Sequence, residues 1–434
     1  MLIELSITNF LSIRERQTLS MTSAYRADDL PDNVIFPKLP SMSGLSFLKG
    51  AAVYGANASG KSNILAAAAF LVNYVKKSAT EMKPTGGTGV VPFLLSKKTV
   101  DASSEFEVVF SHKNIRYDYR FALDKSRIIA ESLFAFPKGR PKKIFVRTFD
   151  RKKGKYTFDF GSIESPYSGL KEKTRPNALF LSVGVQFNAE ELLAPYEWFD
   201  DYLKIINLSE DVLSPDYTAQ KAMQEPESHG QFRKLLCEAD LGITDFEIRK
   251  VERVNVHLPE DIPEAVKQQI IADLKSKNVL DNKNLLDIRL EHKCTDGSPP
   301  VKFGLGQESS GTRRLFSLLG PWHDVLKRGV TIFIDELEAS LHPLLARKLV
   351  NLICGPQNKS GAQLIFTTHN TNLLDASLLR RDQIWFTEKE NDGGTRLYPL
   401  SDYHPRKEES LQKGYLAGRY GAIPMLGEDL SFYE

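Results

Sequence analysis

A chain of 434 residues with 41% hydrophobic side chains is long enough for two or three sub-domains with sizeable cores, which excludes a small metal-folded or disulfide-stapled module. Charged residues make up 26% and nearly cancel to a formal +2, so overall charge selects neither for nor against a nucleic-acid ligand. Cys237, Cys294 and Cys354 stand far apart without CxxC or histidine spacing, the usage of reduced core thiols in a cytosolic protein and not of a zinc site.

The start, Met1-Leu2-Ile3-Glu4-Leu5, lacks a basic region followed by an apolar one. The longest apolar run, Ile64 to Val75, is broken by Asn73 and too short for a bilayer, so the expectation is a cytoplasmic chain without a membrane domain. Leu2 to Ile7 alternates as a half-buried strand does, and Asn9 to Ile13 reads as a second strand. Segment 23 to 46, rich in Asp, Pro and Ser, reads as a surface excursion and a candidate partner-binding loop.

The chain then returns to an apolar stretch, Leu48 to Tyr54, followed by Gly55-Ala56-Asn57-Ala58-Ser59-Gly60-Lys61-Ser62. This satisfies the phosphate-loop pattern G-x-x-x-x-G-K-[ST] at every fixed position. The glycines let backbone N–H groups close around phosphates, Lys61 can reach β and γ oxygens, and the Ser62 hydroxyl is placed to ligate Mg²⁺. Asn63 to Val75 reads as a helix whose N-terminus faces those phosphates, so the order is strand, loop, helix.

Strand patterns dominate from Val90 to Phe149 (Glu105 to Phe110, Arg116 to Phe121, Ile144 to Phe149), as in an antiparallel sheet. Between Asn177 and Lys283 the pattern turns helical, as in 190–206 and 263–276, without the sustained heptads of a long coiled coil. Beyond Ile332 strand and helix alternate, consistent with a mostly parallel sheet.

Three further stretches carry chemistry. Val330 to Ile334 is an apolar strand ending in Asp335-Glu336, where Asp335 would hold Mg²⁺ through water and Glu336 would orient or deprotonate an attacking water. Leu364 to Thr368 is another buried strand, ending in His369, which could hydrogen-bond a γ-phosphate. Glu308-Ser309-Ser310-Gly311-Thr312 precedes a helical run, so Ser309, Ser310 and Gly311 would offer hydroxyl and backbone donors at a helix N-terminus, although Ser-Ser-Gly is also an ordinary capping turn.

Together these motifs resemble the ATP-binding-cassette branch of P-loop ATPases shared by SMC, recombination-repair and overcoming-lysogenization (OLD) proteins. GANASGKSN looks like their GxNxSGKSN, ESSGT sits where their LSGGQ signature does, IFIDELEASLHP resembles DEPExHLHP, and TTHN is similar to their switch-histidine string. The resemblance implies an α/β fold with a mixed or parallel core sheet, an antiparallel β subdomain (within an ATPase lobe over 1–180), an inserted helical subdomain (181–290) and a second ATPase lobe (291–434). It implies ATP and Mg²⁺ as ligands, held by residues 55 to 63 including Asn63, with Lys61, Glu336 and His369 catalytic and Ser62 and Asp335 on the metal. By the same pattern the signature of one subunit completes the site of another, in a homodimer or higher oligomer, and Gln186 is the choice for the Q-loop residue contacting nucleotide and metal. Two departures are Leu11, where repair relatives often carry Arg, and Leu337, where they carry Pro.

The opening MLIELSITNFLSIRERQTLSM and the tail GYLAGRYGAIP look more narrowly like the restriction-linked RloA and abortive-infection AbiL ATPases, phage-defence proteins encoded beside a small second protein. That resemblance implies an ATP-driven switch acting on a separate nuclease-like or toxin-like effector in trans. Rival readings are a repair ATPase that clamps DNA through Lys76-Lys77, Lys97-Lys98 and Arg151-Lys152-Lys153, a transporter motor, and a binding module that holds ATP without turnover. The acids after His369 are scattered, so no nuclease site is expected in this chain. Arg419 has an alternative reading as a phosphate contact in trans, against a plain glycine-rich docking tail.

Overall fold

The computed structural model describes residues 1–24, 30–37, 42–161, 167–206, 214–239, 242–251, 263–269, 285–406 and 409–424. The chain divides into two compact units, Met1–Val212 with Asp324–Glu434, and Leu213–His323. The division differs from the one expected at 181 and 290. Most of the expected N- and C-terminal lobes falls in one unit, because strands from both interleave in a single sheet, while 291–323, expected in the C-terminal lobe, belongs to the second unit.

That sheet orders its strands Leu203–Ile206, Thr331–Ile334, Gln363–Thr367, Gly50–Gly55, Ile384–Lys389 and Thr395–Pro399. The first five are parallel and the last is an antiparallel edge. Parallel strands are covered on both faces and read as continuous apolar runs, and Gly50–Gly55 and Gln363–Thr367 are buried at every position. The parallel order places the ends of Gly50–Gly55, Thr331–Ile334 and Gln363–Thr367 side by side, the edge where ligands bind in such sheets.

A second sheet in this unit is fully antiparallel, from Lys155–Asp159 through Lys142–Asp150, Ile128–Phe136, Ile115–Leu123, Ser104–His112 and Leu2–Thr8 to Gln17–Ser20. Asn9 to Ile13 is a turn and not the expected strand: Phe10 and Ile13 exchange backbone hydrogen bonds at 2.8 Å, and Asn9 and Leu11 take positive φ. The expected helix over 190–206 stops at Asp201 and gives way to the edge strand Leu203–Ile206. Within the 23–46 excursion, Asn33 is buried and donates to Leu378 O at 2.9 Å and Gln383 Oε1 at 2.7 Å, which ties that part to the core; residues 25–29 and 38–41 lie outside the described residues.

Helix Lys61–Lys77 buries Ile64, Leu65, Ala67, Ala68, Leu71, Val72 and Val75, an i, i+3/i+4 stripe within the main apolar core. Its far end is joined to helix Phe180–Gln186, where Ser182 Oγ donates to Val75 O at 2.5 Å. The start of that second helix lacks a capping side chain of its own. Glu131, from the antiparallel sheet, supplies the acceptors instead: it takes the Phe180 amide at 2.6 Å, the Leu181 amide at 3.0 Å and the Tyr119 hydroxyl at 3.0 Å. Arg147, fully buried beside it, lies 3.6 Å from the carboxylate and donates to Ala178 O and Arg175 O.

The second unit holds helices Pro215–Gln224 and Pro226–Glu238 and a three-stranded antiparallel sheet of Ile243–Val251, Leu285–His292 and Val301–Gly304. Helix Ser310–Arg328 begins in this unit and contains Pro321, which cannot donate to the carbonyl four residues back, Ser317 O. Thr218 Oγ1 replaces the missing donor at 3.2 Å and accepts from Gly320 N at 3.0 Å. A Cβ on Gly320 would lie 2.9 Å from Thr218 Oγ1, so glycine permits the close approach. Of the expected helix over 263–276, only 263–269 is described, with 264–269 helical.

The Glu131 site generates a stability prediction. Glu131→Ala leaves three buried donors and a buried guanidinium without their carboxylate, so unfolding free energy should fall by about 3–5 kcal/mol. Denaturant unfolding of both proteins checks this, and a loss below about 1 kcal/mol contradicts it.

Candidate nucleotide site

The phosphate loop is shaped by two left-handed residues, Ala58 at φ 60° and Gly60 at φ 103°. Gly60 is required twice over: its φ favours glycine, and a Cβ there would sit 2.0 Å from Thr395 Oγ1. Hydroxyls from the neighbouring hairpin brace the loop. Thr395 Oγ1 donates to Ser59 O at 3.0 Å, Ser59 and Thr387 share a hydroxyl contact at 2.7 Å, and Ser12 joins Thr395 at 2.7 Å. Asn63 donates to Ser12 Oγ at 2.6 Å, so the turn over 9–13 is fastened to the start of the helix.

Gly55 ends the buried strand, Ala56 is half-buried, and Asn57 and Ala58 form the exposed crest of the loop. Lys61 is buried and folds back, donating to Gly55 O at 2.9 Å and Ala56 O at 3.0 Å. Burial lowers its pKa, opposed by the carboxylates of Asp335, Glu336 and Glu338. An ammonium held on the loop's own carbonyls is positioned to turn toward phosphate oxygens.

Ser62 Oγ donates to Asp335 Oδ1 at 3.3 Å, bringing together the two side chains expected on the metal. Hydroxyl and carboxylate oxygens are the hard donors that Mg²⁺ takes, with phosphates and water completing the shell, so this pair fits the ion. Thr367 holds the carboxylate: its Oγ1 donates to Asp335 Oδ1 at 2.5 Å and accepts the Glu336 amide at 2.7 Å. Glu336 has φ 45°, a left-handed conformation unusual for glutamate, and its side chain is exposed at the strand ends.

His369 stands at the end of the neighbouring strand with its side chain exposed. Its pKa is lowered, by the surrounding protein first and by the Lys61 ammonium second, while Glu338, Glu336 and Asp335 pull it upward. The imidazole is therefore close enough to the phosphate-loop lysine to feel its charge. Glu338, which sequence reasoning left without a role, accepts the His369 amide at 2.6 Å. Its signal was its place two residues after Glu336 in the same acidic string.

Gln186 is not brought to this site. It is exposed at the end of helix Phe180–Gln186, one turn beyond Ser182, which is anchored at Val75. Val75 lies fourteen residues along the helix from Lys61, about 21 Å at 1.5 Å per residue. The apolar packing of the helix, and not a ligand, accounts for its position. Arg419 pairs with Glu409, which also accepts the Tyr420 hydroxyl at 2.6 Å. In the lysine and arginine runs Lys76 pairs with Asp200, Lys77 with Glu81, Arg151 with Asp124 and Lys153 with Asp150.

In the second unit, Ser309 and Ser310 are exposed and Gly311 half-buried at the start of the nineteen-residue helix Ser310–Arg328. Ser309 Oγ accepts the Thr312 amide at 3.1 Å and meets the Thr312 hydroxyl at 2.9 Å, the geometry of a helix cap. Glu308 is fixed from behind by His292 at 2.8 Å. The turn is thus a formed helix N-terminus whose first amides face outward.

Gly60→Ala should remove nucleotide affinity by at least about tenfold, because the added methyl meets Thr395 and strains the left-handed backbone. Titration with a fluorescent ATP analogue reads this. Affinity equal to the parent protein contradicts the close packing.

Residues 51–375 match the family described as "AAA domain, putative AbiEii toxin, Type IV TA system". Curated protein sequences give no significant match. Among solved structures, the SMC head domain from Thermotoga maritima is similar at 14% identity, with 92% of this chain and 98% of that one covered and a TM-score of 0.39. An SMC head bound to the C-terminal winged-helix domain of ScpA gives 15% identity, 96% and 99% coverage and a TM-score of 0.44. An SMC head with an extended coiled coil, bound to the C-terminal domain of ScpA derived from Pyrococcus furiosus, gives 13%, 96% and 98%, and 0.37. Likeness at this level bears on neither activity nor partners. The family match spans the phosphate loop, the Asp335-Glu336 strand and His369, and by it the chain belongs to the AAA-domain family of putative AbiEii toxins of type IV toxin–antitoxin systems.

Proposed function

We propose that the chain is a Mg²⁺-dependent ATPase switch whose heads pair around ATP and act on a separate effector in phage defence. The observation that carries the reading is the Ser62–Asp335 contact, with Lys61, Glu336 and His369 gathered at the same strand ends. Lys61 exchanges the Gly55 and Ala56 carbonyls for β- and γ-phosphate oxygens. Ser62 and Asp335 would hold Mg²⁺, which would neutralise phosphate charge. Glu336, exposed and aimed by its left-handed backbone, orients the attacking water and takes its proton. His369 hydrogen-bonds the γ-phosphoryl group.

The helix N-terminus at Ser309 to Gly311 supports pairing of two copies, since donors of this kind suit a γ-phosphate presented by another subunit. The toxin–antitoxin wording of the family description supports a role in defence through a second protein. Lys76, Lys77, Arg151 and Lys153 each lie beside an acidic partner, which lends the DNA-clamp reading little support from those residues.

Glu336→Gln should bind ATP and hydrolyse it on the order of 10²–10⁴-fold more slowly. Single-turnover phosphate release measures this; unchanged turnover removes Glu336 from the mechanism. Lys61→Ala and Gly311→Asp chains should each be inactive alone. Their mixture should regain partial ATPase activity, because one heterodimeric site then carries neither lesion. Absence of any rescue, with heterodimers shown by mass spectrometry, places each site within one chain.

A further inference from the structure

Glu338 presents an imbalance in an otherwise satisfied site. Its Oε1 accepts the His369 amide at 2.6 Å, yet its Oε2 is shut off from solvent and has no hydrogen-bond partner among the described residues. A buried carboxylate oxygen without a donor costs free energy, so its presence in a native site calls for a reason, one of which is a donor that arrives in another state. Three donor side chains, those of Tyr54, Lys61 and His369, feel the charge of this carboxylate. Tyr54 already donates to Asn370 O at 3.3 Å, and Lys61 has the Gly55 and Ala56 carbonyls and then the phosphates. The His369 imidazole makes no hydrogen bond with the described residues. An acceptor without a donor and a donor without an acceptor thus belong to residues already bonded through the main chain.

We infer that Glu338 is the positioning residue of His369: Oε1 fixes the histidine's backbone, and Oε2 takes the imidazole N–H when the ring turns inward toward a γ-phosphate. The inference rests on the role of His369 proposed above and adds how that role is set. A carboxylate on one ring nitrogen fixes which nitrogen faces the ligand and favours the imidazolium, whose second N–H can then donate to phosphate oxygen. The opposing influences are burial and the Lys61 ammonium, while Glu336 and Asp335 act in the same direction as Glu338. No bond is made or broken in this step. One proton is retained on the ring to higher pH than burial alone would allow.

Activity that needs the imidazolium falls as pH rises through its pKa, so removing the carboxylate should bring that fall to lower pH. Glu338→Gln keeps size and an amide oxygen for the His369 N–H, and so preserves the loop. Its kcat for ATP at pH 8 should drop about tenfold, with the alkaline limb moved to lower pH and the KM for ATP within about twofold. Glu338→Asp should recover part of the limb position, because charge is restored at shorter reach. A merely structural role would lower thermal stability and leave the limb in place, and that result overturns the inference. His369→Ala separates the two levels. If it turns over ATP at the parent rate, the role of His369 itself fails. If it is slow while Glu338→Gln matches the parent protein at every pH, only the inference about Glu338 fails.

Discussion

One hydroxyl group holds the chemistry in register. Thr367 Oγ1 donates a hydrogen bond to Asp335 and accepts one from the Glu336 amide, so a single buried atom joins the ends of two adjacent parallel strands. Because it fixes the carboxylate on one side and the backbone of the next residue on the other, it accounts for the left-handed turn at Glu336. A residue in that conformation costs of order 1–3 kcal/mol unless its surroundings over-determine it. Here the amide is captured by Thr367, and Leu337 N is bonded to Thr367 O at 3.2 Å directly after. The strain aims one carboxylate outward while its neighbour stays against Ser62. Two adjacent acids thus receive different surroundings from one threonine, which suits the separate roles proposed for them.

Legibility of the sequence followed the range over which each feature is determined. The phosphate loop, the Asp335-Glu336 strand end and His369 could be read because glycine, lysine and acid positions are set by local backbone demands. The parallel core and the antiparallel sheet followed from apolar runs and alternation. Asn9 to Ile13 misled because its apolar residues pack into the core from a turn, and only positive φ at Asn9 and Leu11 makes that turn. Gln186 misled because a glutamine after an apolar stretch reads the same at a ligand and at an exposed helix end. Thr387, Thr395 and Ser12 carry no local signal at all. Their meaning lies in partners more than three hundred residues away in sequence, which only the folded sheet supplies.

The buried polar residues of the main unit share one design. Glu131 caps a helix from another sheet, Asn33 ties a surface segment to the core, and Gln363 Nε2 bridges Leu2 O and Leu48 O at 3.0 Å each. Each joins segments distant in sequence, and each would be expensive if left unpaired. Such groups add little net stability over apolar packing but penalise alternative arrangements of the strands. The antiparallel and parallel sheets are therefore held in one relative arrangement within this unit by polar ties as well as by the shared apolar core.

The hairpin of Ile384–Lys389 and Thr395–Pro399 also has a consequence in time. The loop that begins at Gly55 is braced by Thr387 and Thr395, and the strand beneath it has Tyr54 packed edge-on against Tyr415 with ring centroids 5.8 Å apart. During synthesis the phosphate loop therefore leaves the ribosome long before its supports exist. At about 5–20 residues per second the interval between Gly60 and Thr395 is on the order of 20–70 s. Over that interval the growing chain carries the loop's sequence without the hydroxyls that shape it. The loop's full set of braces is present only once the hairpin and the helix Leu411–Leu416, which carries Tyr415, lie against the sheet.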